Sequence, residues 1–328
     1  MPEEGFPALP KEQYLTADET LRLVRVCAEL GITKVRLTGG EPLLRKDLPH
    51  MVAEMRSWGL LQDISATTNG FLLSDMAADL ARSGLDRLNV SLDSLQPEKF
   101  RQIARRGTLD AVLDGIHAAR EAGLRPLKIN CVAMKGVNDD EFIEFARWTL
   151  REEVHVRFIE LMPIRWNLDG IEEYEPFAAH PNRALLQIRQ APGAMLSDAA
   201  MRRMFLPASD IRATIENELG PLIPAELPTN GPAKTFRLEG ARGTVGLISQ
   251  ISDDLCVRCN RLRLTHDGCL RPCLMSDGEV DLRAAIRAGA ADPHLRDLIR
   301  QAVENKPARH YLEQGQTVTA RGMSQIGG

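Results

Sequence analysis

Between residues 16 and 31 the apolar positions Leu21, Val24, Ala28 and Leu30 fall on one helical face. Thr16 with Glu19 three positions later is the signature of a capping box, and Gly31 closes the helix. The pattern then switches to a short apolar run, Lys34–Thr38, that reads as a strand. The same exchange recurs down the first half of the chain. It predicts a helix from about Asp47 to Trp58, a strand near Asp63–Thr67, a helix from about Ser74 to Gly84 and a strand over Arg87–Leu92. A longer helical stretch to Gly123, a strand over Leu127–Met134, a helix capped by Asp139 and Asp140 and a strand over Val154–Leu161 complete it. Five strands separated by helices predict parallel βα units, in a barrel or a doubly wound sheet. In a parallel barrel the chemistry gathers at the C-terminal strand ends. The polar clusters Gly39-Gly40-Glu41-Pro42, Thr67-Thr68-Asn69-Gly70, Ser91-Leu92-Asp93-Ser94 and Glu160-Leu161-Met162-Pro163 all fall there.

The periodicity weakens after Pro163. Three regions follow from this: residues 1–163 as the run of parallel βα units, 164–208 as an insertion or linker, and 209–328 as a C-terminal domain. The last is predicted to hold a helix near Ser209–Leu219, a hairpin of Thr235–Leu238 and Thr244–Ile251, and helices near Asp281–Ala288 and Pro293–Glu304.

Charge narrows the function classes. Lys plus Arg number 41 against 45 Asp plus Glu, a net charge of −4, which argues against broad nucleic-acid binding while allowing a local basic pocket. No apolar run has membrane-spanning length, and the acidic, Pro-rich start does not read as a signal peptide, so a cytoplasmic protein is expected. Four of the six cysteines fall between positions 256 and 273, a pattern suited to a metal site in a reducing compartment rather than to disulfides. Cys27, in a helix, and Cys131, in a strand, read as packing residues.

Cys256-x2-Cys259-x13-Cys273 carries the strongest local signal. Two thiolates from a tight turn and a third from the end of a short hairpin make a three-sulfur site. Zinc would need a fourth ligand, from Cys269 or His266. A [4Fe–4S] cluster accepts three cysteines and keeps one iron open. The spacing leaves both readings standing. Arg258, Arg261 and Arg263 lie around these cysteines, and 261 and 263 share a strand face suited to a phosphorylated substrate, or else to a solvated surface balanced by Asp253, Asp254 and Asp267. Lys128 sits inside an apolar strand on the same face as Asn130. It needs an anionic partner, either a ligand or an internal carboxylate such as Glu160.

Taken in order, KVRLTGGEPLLRKDL, ATTNGFLL, LDRLNVSLDSL, LKINCV, FIELMP, CVRCNRLRLTHDGCLRPCL and a terminal Gly-Gly closely resemble the molybdenum cofactor biosynthesis A family, the GTP 3′,8-cyclases of the radical S-adenosylmethionine (radical SAM) superfamily. The resemblance covers residues 1–163 and 209–328. It implies an α/β fold, a partial (β/α)6 radical SAM-type barrel with a C-terminal iron–sulfur cluster domain over its mouth. It implies a lyase that converts GTP to (8S)-3′,8-cyclo-7,8-dihydroguanosine 5′-triphosphate, the first step of molybdenum cofactor biosynthesis. In that chemistry a 5′-deoxyadenosyl radical from S-adenosylmethionine takes the 3′ hydrogen of the ribose, and the sugar carbon attacks C8 of guanine.

By the same resemblance Cys256, Cys259 and Cys273 hold a [4Fe–4S] cluster whose open iron binds guanine, and Cys269 is not a ligand. Arg36, Thr67, Lys128, Arg261 and Arg263 contact GTP, the last two as the catalytic pair. Gly40, Ser91 and Met162 contact S-adenosylmethionine, and the Gly327-Gly328 tail reaches the active site. A homodimer is implied, with cyclic pyranopterin monophosphate synthase as the next protein in the pathway.

The family's radical-generating [4Fe–4S] cluster uses a CxxxCxxC motif expected just before the segment that is Met1–Gly5 here, and none of the six cysteines has that spacing. The chain as written is therefore expected to lack the first strand of the barrel and to be inactive alone, with an internal start or a fragment as the cause. The alternatives are a truncated, non-catalytic GTP- or partner-binding protein with one cluster, and a zinc-stabilised structural module.

Overall fold

Alternation along the strands decides which residues are buried under helices and which face a central lumen. In the computed structural model, which describes residues 10–162, 203–227, 231–253 and 255–309, five parallel strands follow one another in sequence order. They are β1 (Lys34–Leu37), β2 (Asp63–Thr68), β3 (Arg87–Ser91), β4 (Lys128–Ala133) and β5 (His155–Glu160). Six helices accompany them: α1 (Ala17–Glu29), α2 (Leu48–Ser57), α3 (Leu73–Arg82), α4 (Pro97–Ala104), α5 (Leu109–Glu121) and α6 (Phe142–Arg151). Ile64, Ala66, Leu88, Val90, Ile129, Val156 and Phe158 are fully buried in one apolar core with the helices. Successive side chains leave opposite faces of a strand, so the intervening residues, Ser65, Thr67, Arg87, Asn89, Lys128, Asn130 and Arg157, line the other side. These are the parallel βα units that the strand spacing predicts, in the partial barrel that the resemblance implies.

The Thr16–Glu19 capping box forms as expected, the Glu19 N–H donating to Thr16 Oγ1 at 3.1 Å and the Thr16 N–H to Glu19 Oε2 at 2.9 Å. Two local expectations are corrected. The long helical stretch before Gly123 is two helices, α4 and α5, because Arg105 takes a left-handed φ of 63° and Gly107 one of 76°. A Cβ on Gly107 would stand 2.0 Å from the Phe71 ring, so the break also lets the chain pass that ring. Asp139 and Asp140 do not cap α6. Asp139 accepts the Gly136 N–H at 2.9 Å, and Asp140 pairs with Lys99 at 2.5 Å. Glu141 precedes the helix and is buried, taking the Ser94 hydroxyl at 2.8 Å and the Leu95 N–H at 2.7 Å.

The hairpin expected in the C-terminal region joins the barrel instead. Its second arm, β8 (Thr244–Ile248), runs parallel to β5 from His155↔Thr244 to Ile159↔Ile248. β7 (Lys234–Arg237) pairs antiparallel to β8, and β6 (Ile223–Pro224) ends the eight-stranded sheet. All five residues of β8 are buried. An isolated hairpin cannot cover an arm that is buried on both faces, whereas a slot beside β5 can. Two glycines permit the approach: a Cβ at Gly243 would lie 1.8 Å from the Val154 carbonyl oxygen, and one at Gly246 2.9 Å from Arg157 Cγ. α7 (Ala208–Leu219) packs over this side against α6 and β5.

The C-terminal part is a three-stranded antiparallel sheet, β9 (Arg263–Leu264), β10 (Cys269–Arg271) and β11 (Val280–Asp281), followed by α8 (Leu282–Arg287) and α9 (Asp292–Glu304). It builds a second core on α1: Leu23 and Val26 pack with Leu270, Leu282, Leu295 and Ile299. Leu21 and Ala28 of the same helix belong to the barrel core. Ion pairs rim the contact, Arg22–Asp292 at 2.8 Å, Arg287–Glu19 at 2.8 Å and Arg296–Glu29 at 2.6 Å. The Arg287 bond brings the Glu19 carboxyl down to about 2. These pairs are solvated and contribute little, so the apolar face of α1 carries the attachment. Leu23→Ala is expected to lower unfolding free energy by about 3 kcal/mol. Hydrogen exchange should show α8 and α9 losing protection ahead of β2–β5.

Candidate active site

The strand-end loops form one rim. After β1 the Gly39-Gly40 pair turns the chain, Gly39 at a φ of 140°, and a Cβ on Gly40 would meet nothing within 4 Å. Glu41 ties this loop to the end of β2: its carboxylate accepts the Leu43 N–H at 3.0 Å, the Thr68 hydroxyl at 2.7 Å and the Asn69 N–H at 2.7 Å. Burial pushes its pKa up against these bonds. Ser91 ends β3, exposed, and Met162 follows β5, half-buried. Gly40, Ser91 and Met162 thus stand on the rim where the sequence places them. Glu160, fully buried at the end of β5, accepts the N–H groups of Ala208 at 2.9 Å, Ile251 at 2.8 Å and Ser252 at 3.0 Å. It thereby fixes α7 and the segment after β8 to the same rim.

Below the rim the lumen is strongly cationic. Arg36, Arg87, Lys128 and Arg157 share it, with the Asp63 carboxylate acting on Arg36 and Lys128. Arg157 is held by amides: Nη2 donates to Asn89 Oδ1 at 2.8 Å, and Nε to Asn130 Oδ1 at 2.9 Å. Asn89 in turn donates to Thr67 Oγ1 at 3.2 Å. Arg87 donates from Nε to Asp63 Oδ1 at 3.0 Å and from Nη2 to Oδ2.

Burial and mutual repulsion depress these cations. Lys128 falls to about 7, through burial and then the charges of Arg157, Arg87 and Arg36. Arg157 falls to about 9, through burial, Arg36 and Arg87. Arg36 falls to about 10, through burial and Arg87, with Asp63 acting in the opposite direction. His155, beside Lys128, falls to about 4 mainly through burial, and its Nδ1 lies 2.9 Å from the Thr244 hydroxyl. A cavity of about 230 Å³ opens from this cluster, walled by Lys128, Arg157, Glu226, Thr235, Thr244 and Gly246. Such a site suits a polyanion.

The alternative partner for Lys128 is ruled out by register. Lys128 pairs with His155, and Glu160 with Ala133, so the two stand at opposite ends of adjacent strands. Arg87 and Arg157 are lumen residues that the sequence reading passed over. Their signal was present: Arg87-Asn89-Ser91 and His155-Arg157 repeat the alternation that singled out Lys128 and Asn130.

The cysteine hairpin comes within electrostatic reach of this lumen, Arg261 acting on Arg36. Cys256 begins a 3-10 turn that returns the Cys259 N–H to its carbonyl at 3.0 Å. β9 pairs Arg263 with Arg271, and the register carried onward sets Cys273 across from Arg261. Lys306 reaches in from beyond α9, donating to Cys259 Sγ at 3.5 Å and to the Arg261 carbonyl at 2.6 Å. Cys273 Sγ accepts the Met275 N–H at 3.4 Å. Burial would raise the Cys259 thiol, but the Arg261 N–H and guanidinium, with the Lys306 charge, bring it to about 7. Arg263 falls to about 10 through burial and Arg261, with Cys259 and Cys273 supporting its charge. Arg36 feels Arg261 as well, which links the hairpin to the lumen cations.

Among the described residues no three His, Cys, Asp or Glu side chains are gathered into a ready metal site. The donor set nevertheless suits an iron–sulfur cluster: three unoxidised, half-buried thiols, with cations beside Cys259 that favour its thiolate. Cys269 is buried in β10, and its N–H donates to Thr265 Oγ1 at 2.9 Å. Burial pushes the Cys27 thiol to about 11 and Cys131 well above the usual thiol range, as packing residues require. Residues 164–202 and the Gly327-Gly328 tail lie outside the described residues. No described helix is long and apolar enough to cross a membrane.

The radical SAM superfamily profile matches residues 3–149, and the Molybdenum Cofactor Synthesis C profile matches residues 194–312. A GTP 3′,8-cyclase of Thermodesulfovibrio yellowstonii is 43% identical over 332 aligned positions, covering 100% of this chain and 92% of the relative. One of Moorella thermoacetica is 44% identical over 329, with the same coverages. Among solved structures, a radical SAM methyltransferase from Sphaerobacter thermophilus overlays 55% of this chain and 56% of its own at 22% identity, with a TM-score of 0.39. Two family profiles in the right order, and relatives above 40% identity along the whole chain, agree with the motif resemblance: the chain belongs to the GTP 3′,8-cyclase family of the radical SAM superfamily.

Proposed function

We propose that this protein binds GTP with its phosphate chain in the cationic lumen and its base toward the cysteine hairpin, as the substrate complex of the GTP 3′,8-cyclase reaction in molybdenum cofactor biosynthesis. The observation that carries the reading is the clustering of Arg36, Lys128 and Arg157 in one lumen, Lys128 and Arg157 on the wall of its cavity, where the cations outnumber the neighbouring carboxylates Asp63 and Glu226. A nucleoside triphosphate supplies the missing negative charge. Thr67 sits at the same level and accepts from Asn89. Arg261, which acts electrostatically on Arg36 of the lumen, and Arg263 beside it would be the catalytic pair.

Cys256, Cys259 and Cys273 would hold a [4Fe–4S] cluster, whose open iron supplies a coordination site for guanine. Gly40, Ser91 and Met162, on the rim, would cradle S-adenosylmethionine, the unobstructed Cα face of Gly40 allowing close approach. The 328 residues contain no CxxxCxxC, so the reading rests on the lumen and the hairpin. The Gly-Gly tail, a homodimer, a cytoplasmic location and a cyclic pyranopterin monophosphate synthase consuming the product belong to the same proposal. Equilibrium binding to anaerobically reconstituted protein tests it. GTP should bind at least about tenfold tighter than ATP, since one good polar base contact is worth about 1–2 kcal/mol. Equal affinity for the two would refute guanine recognition.

A further inference from the structure

We propose that Arg87 binds the substrate's phosphate chain through Nη1, with Asp63 as the residue that positions it. The inference rests on the reading of the lumen as the GTP phosphate site. Arg87 is 3% exposed at the start of β3. Its Nε and Nη2 both engage the Asp63 carboxylate, a bidentate pair that fixes the plane of the guanidinium. Nη1 is buried and meets no acceptor among the described residues. Leaving such a donor unmade is costly.

Its surroundings identify the acceptor that would satisfy it. Arg87 acts electrostatically on Arg36, Lys128 and Arg157, so Nη1 shares the lumen with three further cations. Arg271, the other buried arginine with an unmatched nitrogen, provides the contrast. It pairs with Glu279 at 2.9 Å, lies near Asp277 at 3.7 Å and donates to the Ser276 carbonyl, so its charge is compensated within its own hairpin. Arg87 has Asp63 as its carboxylate partner and stands among three further cations, whose charge Asp63 and the Glu226 of the cavity wall do not balance. A phosphate oxygen answers both its open N–H and the excess charge. Asp63 fixes the guanidinium while leaving Nη1 without a protein acceptor among the described residues.

Calorimetry on the anaerobically reconstituted full chain tests this with inorganic tripolyphosphate as the probe and guanosine as the control. Arg87→Gln should weaken tripolyphosphate binding about 10- to 100-fold, with guanosine affinity unchanged. Arg87→Lys, which keeps the charge but loses the fork, should fall between the two; it decides the matter should the glutamine variant fail to fold. Asp63→Asn should also weaken tripolyphosphate selectively. Unchanged tripolyphosphate binding in the Arg87 variants, an equal loss for both probes, or no tripolyphosphate binding by the unmodified protein would each overturn the proposal. GTP binding no tighter than ATP would remove guanine recognition while leaving a selective Arg87 effect intact, so the two failures are separable.

Discussion

Replacing Cys259 by Ser should remove the hairpin cluster: iron after anaerobic reconstitution is expected to fall from about four atoms per chain to near zero, with loss of the broad visible absorption of a [4Fe–4S] centre. Cys259 is the central member of the set. It closes the 3-10 turn with Cys256 and receives the Lys306 ammonium and the Arg261 N–H, the contacts that bring its thiol to about 7. Cys256→Ser and Cys273→Ser should act alike, because three thiolates are the minimum this cluster accepts. Cys27→Ser and Cys131→Ser should leave iron unchanged, since burial holds both thiols protonated. Cys269→Ser decides the competing ligand set. If it loses metal as Cys259→Ser does, or if the unmodified protein binds one zinc and no iron, the site is a four-ligand zinc centre. The phosphate end of the nucleotide site lies in the barrel, so tripolyphosphate binding should survive Cys259→Ser even as guanine preference is lost.

Lys128→Met is expected to affect stability and binding in opposite directions. Lys128 titrates near 7 in the folded chain against 10.5 for an ordinary lysine. Between those values the unfolded chain binds more protons, so raising pH favours the folded state. The cost of charging Lys128 is fully present below pH 7, diminishes through the window, and is absent above 10.5. Ligand-free protein should therefore become more stable from pH 7 to 8.5, a range below the point where Arg157, near 9, begins to contribute. Removing the charge should stabilise the ligand-free protein at pH 7 by on the order of a few kcal/mol at most and flatten that slope. Binding should suffer, by about 10- to 100-fold in GTP affinity. A bound polyanion draws the Lys128 proton back, so GTP binding at pH 8 should take up protons, seen as a buffer-dependent heat that Lys128→Met abolishes. An unchanged pH slope in the variant would show that the stability change belongs to another group.

The sequence was most legible where two periodicities alternate. The strands from β1 to β5 and helices α1, α2, α3 and α6 follow from apolar spacing, as do the strand-end positions of Gly40, Ser91 and Met162. The α4–α5 break was hidden because a left-handed Arg105 leaves no compositional trace. The partner of β8 was hidden because a fully buried strand has no face to display, and a Gly-turned hairpin looks self-sufficient in one dimension. In the site, Lys128 stood out because a lysine in an apolar run is conspicuous. Arg87 and Arg157 carry the same signal in strands already crowded with polar residues, and only the assembled sheet shows that all three meet. Pairing three cysteines across a turn and a hairpin was readable from spacing, whereas Lys306, 47 positions from Cys259, was not.

Helix α1 serves two masters, and this limits how the protein can be divided. Its Leu21 and Ala28 lie in the barrel core, and Leu23 and Val26 lie under the cysteine hairpin and its two helices. Residues 255–309 expressed alone would expose Leu270, Leu282, Leu295 and Ile299, and the barrel without them would expose the other half of α1. Neither piece is a self-contained module, however clearly the two family profiles separate in sequence. Gene shuffling that swaps the C-terminal half between relatives should succeed only when the second helical stripe of α1 travels with it.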